Sequence, residues 1–288
     1  MLSLTIPWIW SHPLASRHRL DAYRNYLWWQ LQRRLMDQPY QLDWVNGSTL
    51  IFSPRMHGAT GNFYAGLHEW PDMPFVLHLL RAGDHMLDIG SNVGSYTVLA
   101  AAAIGASCTA CEPVHLALSG LRANIAANSI EHLVSIVEAC IGAEHGEVRF
   151  TTDAGPMNCL VSVADATLAD SCSTQVVLSL PVDAIPAASG ACCWKVDVEG
   201  LEAQVLRGAR NTLRSQVLQA ILLENRSDDV ASTMGEHGFT PCNYDPWNRR
   251  LLPGQPSSGA NQIWVRDLDW VGDRLQSAPA FHVFSEEI

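Results

Sequence analysis

The sequence predicts an α/β protein with a doubly wound, mostly parallel sheet, preceded by an N-terminal helix and a β-hairpin. Three observations lead to this prediction. Short apolar runs alternate with helical patterns over residues 85–237, as in parallel strands joined by helices. Residues 85–104 contain a strand, a glycine-bearing turn and the start of a helix. Finally, 48% of the 288 residues are hydrophobic and only 16% are charged, enough to build the buried core of such a sheet.

The N-terminal region is predicted to form one helix and one hairpin. Residues 18–37 have the four-residue periodicity of an amphipathic helix. Its apolar stripe consists of Tyr23, Leu27, Leu31 and Leu35, and Trp28 and Trp29 widen it. We interpret this helix as packed on its own domain or on a second copy of the chain in a homodimer; docking on a membrane surface or another partner is the alternative. The hairpin covers residues 40–52 around Asn46 and Gly47, a strong turn dipeptide.

The remaining elements follow from periodicity and turn residues. Residues 53–74 are expected to form a loop or lid, and residues 152–175 a loop or insertion. Predicted strands are residues 85–89, 107–111, 134–138, 147–151, 194–198, 220–223 and 262–266, with an edge strand at 176–180. Predicted helices are residues 75–81, 95–104, 114–128, 201–213 and 230–237. We divide the chain into an extension, residues 1–57, and an α/β domain, residues 58–288.

Charge and N-terminal composition exclude several classes of protein. The chain has 18 basic and 29 acidic residues and a formal net charge of −11, so it has no general attraction for nucleic acid. The first ten residues are apolar, but they have neither the basic stretch nor the cleavage site of a signal peptide. No apolar run is long enough to span a bilayer. We therefore expect a cytoplasmic protein.

The turn after the first strand of the α/β domain has the features of a nucleoside site. Asp88, Gly90 and Gly94 form the pattern Asp-x-Gly-x-x-x-Gly, which differs from the G-x-G-x-x-G of dinucleotide sites. A carboxylate at this strand end would repel a pyrophosphate but suits a cationic ligand group. Glu112 ends the next strand, where an acid accepts hydrogen bonds from ribose hydroxyls. Together these residues predict a nucleoside cofactor; a purely structural glycine turn is the alternative.

Six segments of the chain resemble a known family. They are residues 87–97, 112–113, 194–202, 205–209, 221–224 and 261–266. The most specific is Lys-Val-Asp-Val-Glu-Gly at residues 195–200. Over residues 58–266 the chain is similar to the FkbM-type methyltransferases, S-adenosylmethionine (SAM)-dependent enzymes that mostly O-methylate natural products and sugars. It departs from the family pattern at Ser91, usually alanine, and at Asn225 and Arg226, which replace a more amide-rich stretch.

The resemblance implies a Rossmann-like class I methyltransferase fold with SAM as the cofactor. It also implies O-methylation of a hydroxyl on a small-molecule acceptor, a sugar or secondary metabolite, in natural-product tailoring. An N- or C-methyltransferase on the same fold is one alternative, and a non-catalytic interaction protein is another. An NAD-dependent oxidoreductase is disfavoured by the spacing of the glycine loop. The candidate cofactor contacts are Asp88, Gly90, Asn92, Gly94, Glu112 and Cys140.

Acidic residues at two neighbouring strand ends are the candidate catalytic groups. Lys195, Asp197 and Glu199 alternate along one strand end and share a face. Glu224 and Asn225 end the next strand and are expected to face the same crevice. Asp197 is the first candidate for substrate positioning or general base, followed by Glu199 and Glu224, with Lys195 paired to these acids or to substrate. The alternative is an ion pair with a helix cap.

A divalent metal is a further alternative at this position. Mg²⁺ would bind Asp197, Glu224 and Asn225, although the same acids suit metal-free proton transfer, which we favour. The candidate residues for contact with the acceptor are His57, Tyr64, His68, Asn158 and Asn225.

Overall fold

A computed structural model describes residues 2–35, 38–53, 59–151, 160–161, 174–198 and 200–288. The chain opens with helices α1 (Leu2–Ser11) and α2 (Arg19–Leu35). Strands β1 (Tyr40–Asp43) and β2 (Thr49–Phe52) then form an antiparallel hairpin. Asn46, at the turn of this hairpin, has φ of 50°, a left-handed conformation that asparagine tolerates. The predicted helix and hairpin are therefore confirmed.

The face of α2 that packs inward is only partly the predicted one, since it includes Trp29 but not the leucines. Ala22, Tyr26 and Trp29 are buried, and the ring of Trp29 lies 4.9 Å from that of Phe52. Of the predicted stripe, Tyr23 is half-buried and the rest is exposed to solvent: Leu27, Leu31 and Leu35. Helix α2 is apolar on two sides, and the side with the large aromatic rings, which bury more area, packs inward.

Two helices occupy the region before the main sheet. Helix α3 (Thr60–Ala65) lies within the segment that was expected to be a loop or lid, and α4 (Asp72–Leu79) begins three residues before the predicted start. Every residue of α4 is buried. A helix that is apolar all round lacks the amphipathic periodicity by which a surface helix is recognised, which explains the shifted boundary.

The remaining strands form two sheets. In chain order they are β3 (His85–Ile89), β4 (Ser107–Cys111), β5 (Val134–Val137), β6 (Cys140–Gly142), β7 (Gly146–Thr151), β8 (Leu160–Val161), β9 (Thr174–Pro181), β10 (Cys193–Val196), β11 (Ala220–Leu223), β12 (Thr240–Asp245), β13 (Arg250–Pro253) and β14 (Gln262–Val265). A small hairpin, β15 (His282–Val283) and β16 (Glu286–Glu287), follows near the C-terminus. The connecting helices are α5 (Ser95–Val98, continued as a π-helix over Leu99–Ile104), α6 (His115–Asn128), α7 (Glu202–Arg207), α8 (Asp228–Glu236) and α9 (Leu268–Gln276).

The main sheet has eight strands in the order β13-β12-β14-β11-β10-β3-β4-β5. The five strands from β11 to β5 are parallel, and β14 runs antiparallel to both of its neighbours. The chain passes from β3 to β4 and β5, then crosses back to place β10 on the other side of β3. Ligands of doubly wound sheets bind at such a switch point, beyond the carboxyl ends of the strands. The predicted Rossmann-like α/β fold is confirmed.

The two faces of this sheet pack on different parts of the chain. Met86 and Leu222 belong to a core cluster that also contains Ile9, Trp29 and Phe75. Their strand neighbours point to the opposite face, as alternation requires, and pack with residues of α7 and α8. The N-terminal extension thus belongs to the core on one side of the sheet. Among the described residues, no helix combines the length and apolarity needed to cross a bilayer.

The second sheet has the order β6-β9-β7-β8. The predicted edge strand at residues 176–180 lies in β9, inside this sheet, with β6 on one side and β7 on the other, so its assignment to an edge was wrong. Val176 and Leu178 are exposed, whereas Val177 and Ser179 are buried. An antiparallel sheet with one solvated face shows the same alternation in its inner strands as at its edges, so the pattern alone could not distinguish the two.

Candidate active site

The glycine loop after β3 is shaped by the end of β10. Gly90 has φ of 79° and Gly94 φ of 86°, conformations that favour glycine. A Cβ on Gly90 would collide with the backbone carbonyl of Asp197, and one on Gly94 would collide with the side chain of Leu121. The amide of Asp197 also donates to the carbonyl of Ile89, at 2.9 Å. The two strand ends therefore approach too closely for any other residue at position 90.

Glu112 lies beyond β4 and holds the glycine loop from the side. Its Oε2 accepts the amide of Asn92, and its Oε1 accepts the amide of Val114, both at 2.9 Å. Burial raises the pKa of Glu112 to about 7, opposed by these two hydrogen bonds. Each carboxylate oxygen has a second acceptor position, so the group can still accept a ribose hydroxyl. Cys140, at the start of β6, is buried, and burial followed by the charge of Glu112 raises its pKa to about 11.

Asp88 lies beneath the loop. It is buried and accepts a hydrogen bond from the Thr97 hydroxyl at 2.7 Å. Its strand neighbour in β10 is Lys195. Burial raises the pKa of Asp88 to about 6, against the stabilising effects of Thr97 and Lys195. The charge of Asp88 would attract a ligand ammonium bound at the loop.

Lys195 is the centre of a charged cluster at the end of β10. Its Nζ lies 2.8 Å from Oδ2 of Asp197 and 3.8 Å from Oε2 of Glu69. Its side chain is only 2% exposed, compared with 35% for Asp197 and 20% for Glu69. Burial acts to lower the pKa of Lys195, but the charges of Glu69 and Asp197 outweigh it and raise that pKa. The ammonium is thus held charged between two partly exposed carboxylates.

The carboxylate of Glu69 is positioned by two further side chains. The Tyr96 hydroxyl and the Asn261 amide each donate to its Oε2 at 2.9 Å. Asn261 also donates to Asp72, through its backbone amide at 2.9 Å and its side chain at 2.8 Å. Sequence patterns assign no role to Glu69, Tyr96, Asn261 or Asp72. Periodicity cannot reveal such a group, because its members come from the segment before α4, from the first residue of α4, from α5 and from the residue that precedes β14.

Asp72 is a buried acid with one unused oxygen. Both hydrogen bonds from Asn261 go to Oδ2, and Oδ1 has no hydrogen-bond partner among the described residues. Burial, then the charge of Glu69, raises the pKa of Asp72 to about 7, although the bonds from Asn261 and the charge of Lys195 oppose this. The carboxyl is therefore easier to ionise in the unfolded chain than in the native protein.

We expect Asp72→Asn to change the pH dependence of stability. Because the native pKa of Asp72 is raised from 3.8 to about 7, its contribution to stability is full below pH 4 and is lost as pH rises to about 7. Asparagine keeps the acceptor for Asn261 and does not ionise. The free energy of unfolding of the variant, relative to that of the native protein, should rise by about 2 kcal/mol between pH 5 and pH 8. Urea unfolding at a series of pH values measures this difference. A stability difference that is independent of pH would contradict the assignment.

Two of the predicted site residues, Glu224 and Asn225, follow β11, the strand that pairs with β10. Glu224 is exposed after β11. The amide of Asn225 donates to Oε2 of Glu202 at 3.4 Å, and its oxygen accepts the amide of Ser227 at 2.8 Å. Glu202 also accepts the backbone amide of Gly200 at 3.1 Å, just before α7 begins. A helix cap of this kind was the alternative role considered for Lys195, Asp197 and Glu199. Three predicted residues lie outside the described residues: Glu199, His57 and Asn158.

The two other residues expected to contact the acceptor pack against the N-terminal helices. Tyr64 is buried, with its ring 5.4 Å from that of Tyr26 in α2. The ring of His68 lies edge-on to Trp8 of α1 at 5.1 Å. The position of Tyr64 argues against the expected contact with substrate, because its ring is part of the aromatic core. An aromatic residue in a supposed lid gives no sequence signal to distinguish these two roles.

The metal alternative has little support in this arrangement. Outside the undescribed stretches, which include Glu199, no three His, Cys, Asp or Glu side chains are grouped as a metal site. Asp197, the central ligand of the predicted set, is already bonded to the ammonium of Lys195. A divalent cation at the same oxygen would be repelled by that buried positive charge.

Comparison with known proteins identifies no close relative. No family model and no curated protein matches the chain. Among solved structures, the methyltransferase FkbM from Methylobacillus flagellatus is 16% identical over 65% of this chain and 45% of its own, with a TM-score of 0.44. Precorrin-6y C5,15-methyltransferase from Geobacter metallireducens is 14% identical over 66% of this chain and 82% of its own, with a TM-score of 0.36. An rRNA methylase from Streptococcus thermophilus is 12% identical over 68% of this chain and 94% of its own, also at 0.36.

This chain spans less than half of the length of the Methylobacillus protein. Similarities at these identities and scores do not define an activity or a substrate. The fold assignment rests on the strand order and directions described above.

Proposed function

We propose that the protein binds SAM across the carboxyl ends of β3 and β4 and transfers its methyl group to a hydroxyl of a small-molecule acceptor. The observation that carries this proposal is the placement of Glu112 on one side of the glycine loop and of Asp197 on the other. The amide of Asn92 donates to Glu112 at 2.9 Å, and Gly90 of the same loop lies against the backbone carbonyl of Asp197, so both residues border one short loop. Glu112 would accept the ribose hydroxyls.

The bound cofactor would supply an electrophilic methyl group, and the protein would position the acceptor and remove its proton. Asp197 suits this task because its side chain is partly exposed and its Oδ2 is held by Lys195. The other oxygen, Oδ1, would orient the acceptor hydroxyl and accept its proton, while the methyl–sulfur bond of the cofactor is exchanged for the new carbon–oxygen bond and S-adenosylhomocysteine leaves. Lys195 keeps Asp197 in place and balances its charge.

We further propose that Glu69 orients the acceptor rather than acting as its base. Its Oε2 already accepts hydrogen bonds from Tyr96 and Asn261, which hold the carboxylate in one orientation. A polyhydroxylated acceptor would meet two carboxylates in this crevice, Asp197 and Glu69. This supports a sugar or hydroxylated secondary metabolite, the acceptor class that the resemblance to FkbM-type enzymes implies.

Calorimetric titration with S-adenosylhomocysteine, and separately with NAD, tests the cofactor. We expect micromolar binding of S-adenosylhomocysteine and none of NAD. Glu112→Gln should weaken that binding at least about tenfold, because the amide replaces one acceptor oxygen with a donor. Glu138→Gln is the matched control, since Glu138 is exposed and pairs with Arg122. Binding of NAD alone, or of neither compound, would overturn the proposal.

A further inference from the structure

The N-terminal helices present an apolar surface to solvent. The exposed fractions of its leucines are 87% for Leu20, 64% for Leu27, 56% for Leu31 and 69% for Leu35. At 3.6 residues per turn these four side chains project from one side of α2, opposite the buried Ala22, Tyr26 and Trp29. They extend over about 22 Å of helix. We refer to Leu20, Leu27, Leu31 and Leu35 as the leucine face.

Helix α1 extends this surface. Ile6 and Trp10, four residues apart and therefore on one side of α1, are 44% and 57% exposed. The two helices are joined at this side, because the Tyr23 hydroxyl donates to the carbonyl of Ile6 at 3.3 Å. The Arg19 guanidinium lies over the Trp10 ring at 4.1 Å. Scattered exposed leucines need no explanation, but a row of leucines beside an exposed tryptophan marks a site of association.

The charge around the leucine face is opposite to that of the rest of the chain. The first 40 residues contain five arginines but only Asp21 and Asp37 as acids, which gives a formal charge of +3. Since the whole chain carries −11, the remaining residues carry −14. Arg24 lies within the row of leucines and is paired with Asp21 at 2.8 Å, and Arg17 is paired with Glu286 at 3.0 Å. Arg19 and Arg34 are exposed, so the apolar surface adjoins two exposed arginines on a protein that is otherwise acidic.

We infer that the leucine face docks the protein on an anionic lipid bilayer, with α2 lying in the plane of the headgroups. Helices that bind in this way combine leucine and tryptophan with arginine at the border. Each arginine near such a surface is attracted by the anionic headgroups. The repulsion from the acidic remainder is screened over about 10 Å at 0.1 M salt. A second copy of the chain is a less favourable partner for the leucine face, because a two-fold symmetric contact would place the same positively charged surfaces against each other.

Flotation with vesicles of phosphatidylcholine and phosphatidylglycerol at 7:3 tests this inference. We expect the full chain to float with these vesicles, to bind pure phosphatidylcholine more weakly, and to dissociate in 0.5 M NaCl. Leu27→Gln with Leu31→Gln should lower the vesicle partition coefficient at least about tenfold, since two apolar side chains are lost from the buried face. Both residues are exposed, so the variant should keep the native unfolding temperature.

Val176→Gln with Leu178→Gln is the matched control, because it removes two exposed apolar residues of β9; it should float like the native chain. Light scattering after gel filtration, without lipid, tests the alternative that a second copy of the chain binds the leucine face. A dimer that Leu27→Gln and Leu31→Gln dissociate, without flotation of the native chain, would overturn the inference. Equal flotation of the native chain and the leucine variant would also overturn it. The result is independent of the proposed methyl transfer, because neither vesicle binding nor the control requires SAM.

Discussion

Asp197→Asn is expected to lower the rate of methyl transfer by about 10²- to 10⁴-fold, the usual contribution of a general base. Asparagine has the shape of aspartate, and its oxygen can still accept the hydrogen bond that Lys195 donates to Oδ2 at 2.8 Å. It cannot take a proton from an acceptor hydroxyl. Because the side chain at position 197 lies beside the glycine loop without being part of it, the affinity for S-adenosylhomocysteine should change by less than about threefold.

The measurement is release of S-adenosylhomocysteine with the best acceptor from a panel of glycosides and hydroxylated aromatic compounds. Asp229→Asn serves as control, because Asp229 is an exposed acid in the first turn of α8; this variant should transfer methyl groups at the native rate. If Asp197→Asn kept more than a third of the native rate, the carboxylate would not be the base. Glu69→Gln would then be the next variant to test.

Lys195→Met should destabilise the protein by about 3–5 kcal/mol, as expected when one partner of a buried ion pair is removed. Methionine fills most of the space of the lysine side chain, so the loss is electrostatic. Without the ammonium, Asp88 would be buried with no opposing charge, and Glu69 and Asp197 would lose their shared partner. Urea unfolding at pH 7.5 measures the free energy of unfolding directly.

A double-mutant cycle with Asp88→Asn tests the cause of that loss. Asparagine at position 88 can still accept the hydrogen bond from Thr97 but carries no charge. In the Lys195→Met background, Asp88→Asn should restore at least about 1 kcal/mol, a coupling typical of residues in one charged network. A Lys195→Met protein within 1 kcal/mol of native stability would contradict the role of the ammonium. The absence of any restoration would exclude Asp88 from the network.

The part of the fold that alternates strands and helices could be predicted from the sequence. The observed β3, β4 and β11 match the predicted boundaries, because continuous apolar runs between turn residues identify buried parallel strands. The prediction failed where apolar residues served two surfaces at once. In α2 the leucines and the aromatic residues each form a helical stripe, and only the fit against Phe52 and Phe63 decides which one is buried.

In the candidate site, too, one part could be predicted from the sequence and another part could not. Lys195 and Asp197 could be paired from the sequence because alternate residues of a strand share a face. Glu69 and Asn261 are separated by 192 residues yet lie within hydrogen-bonding distance. Neither belongs to a periodic pattern or a known spacing. Glu69 and Asn261 come into contact because the segment before α4 and the antiparallel strand β14 lie at the same end of the sheet.

The sequence by itself determined six strands of the main sheet (all except β12 and β13), the glycine loop and the acids that follow β4 and β10, because these depend on local periodicity and on residues close together in the chain. The tertiary structure decided which stripe of α2 is buried, which carboxylates share the ammonium of Lys195, and that Glu112 supports the loop through two backbone hydrogen bonds. These outcomes depend on packing and charge compensation between distant segments. Such energies are set by three-dimensional proximity, which local sequence patterns do not encode.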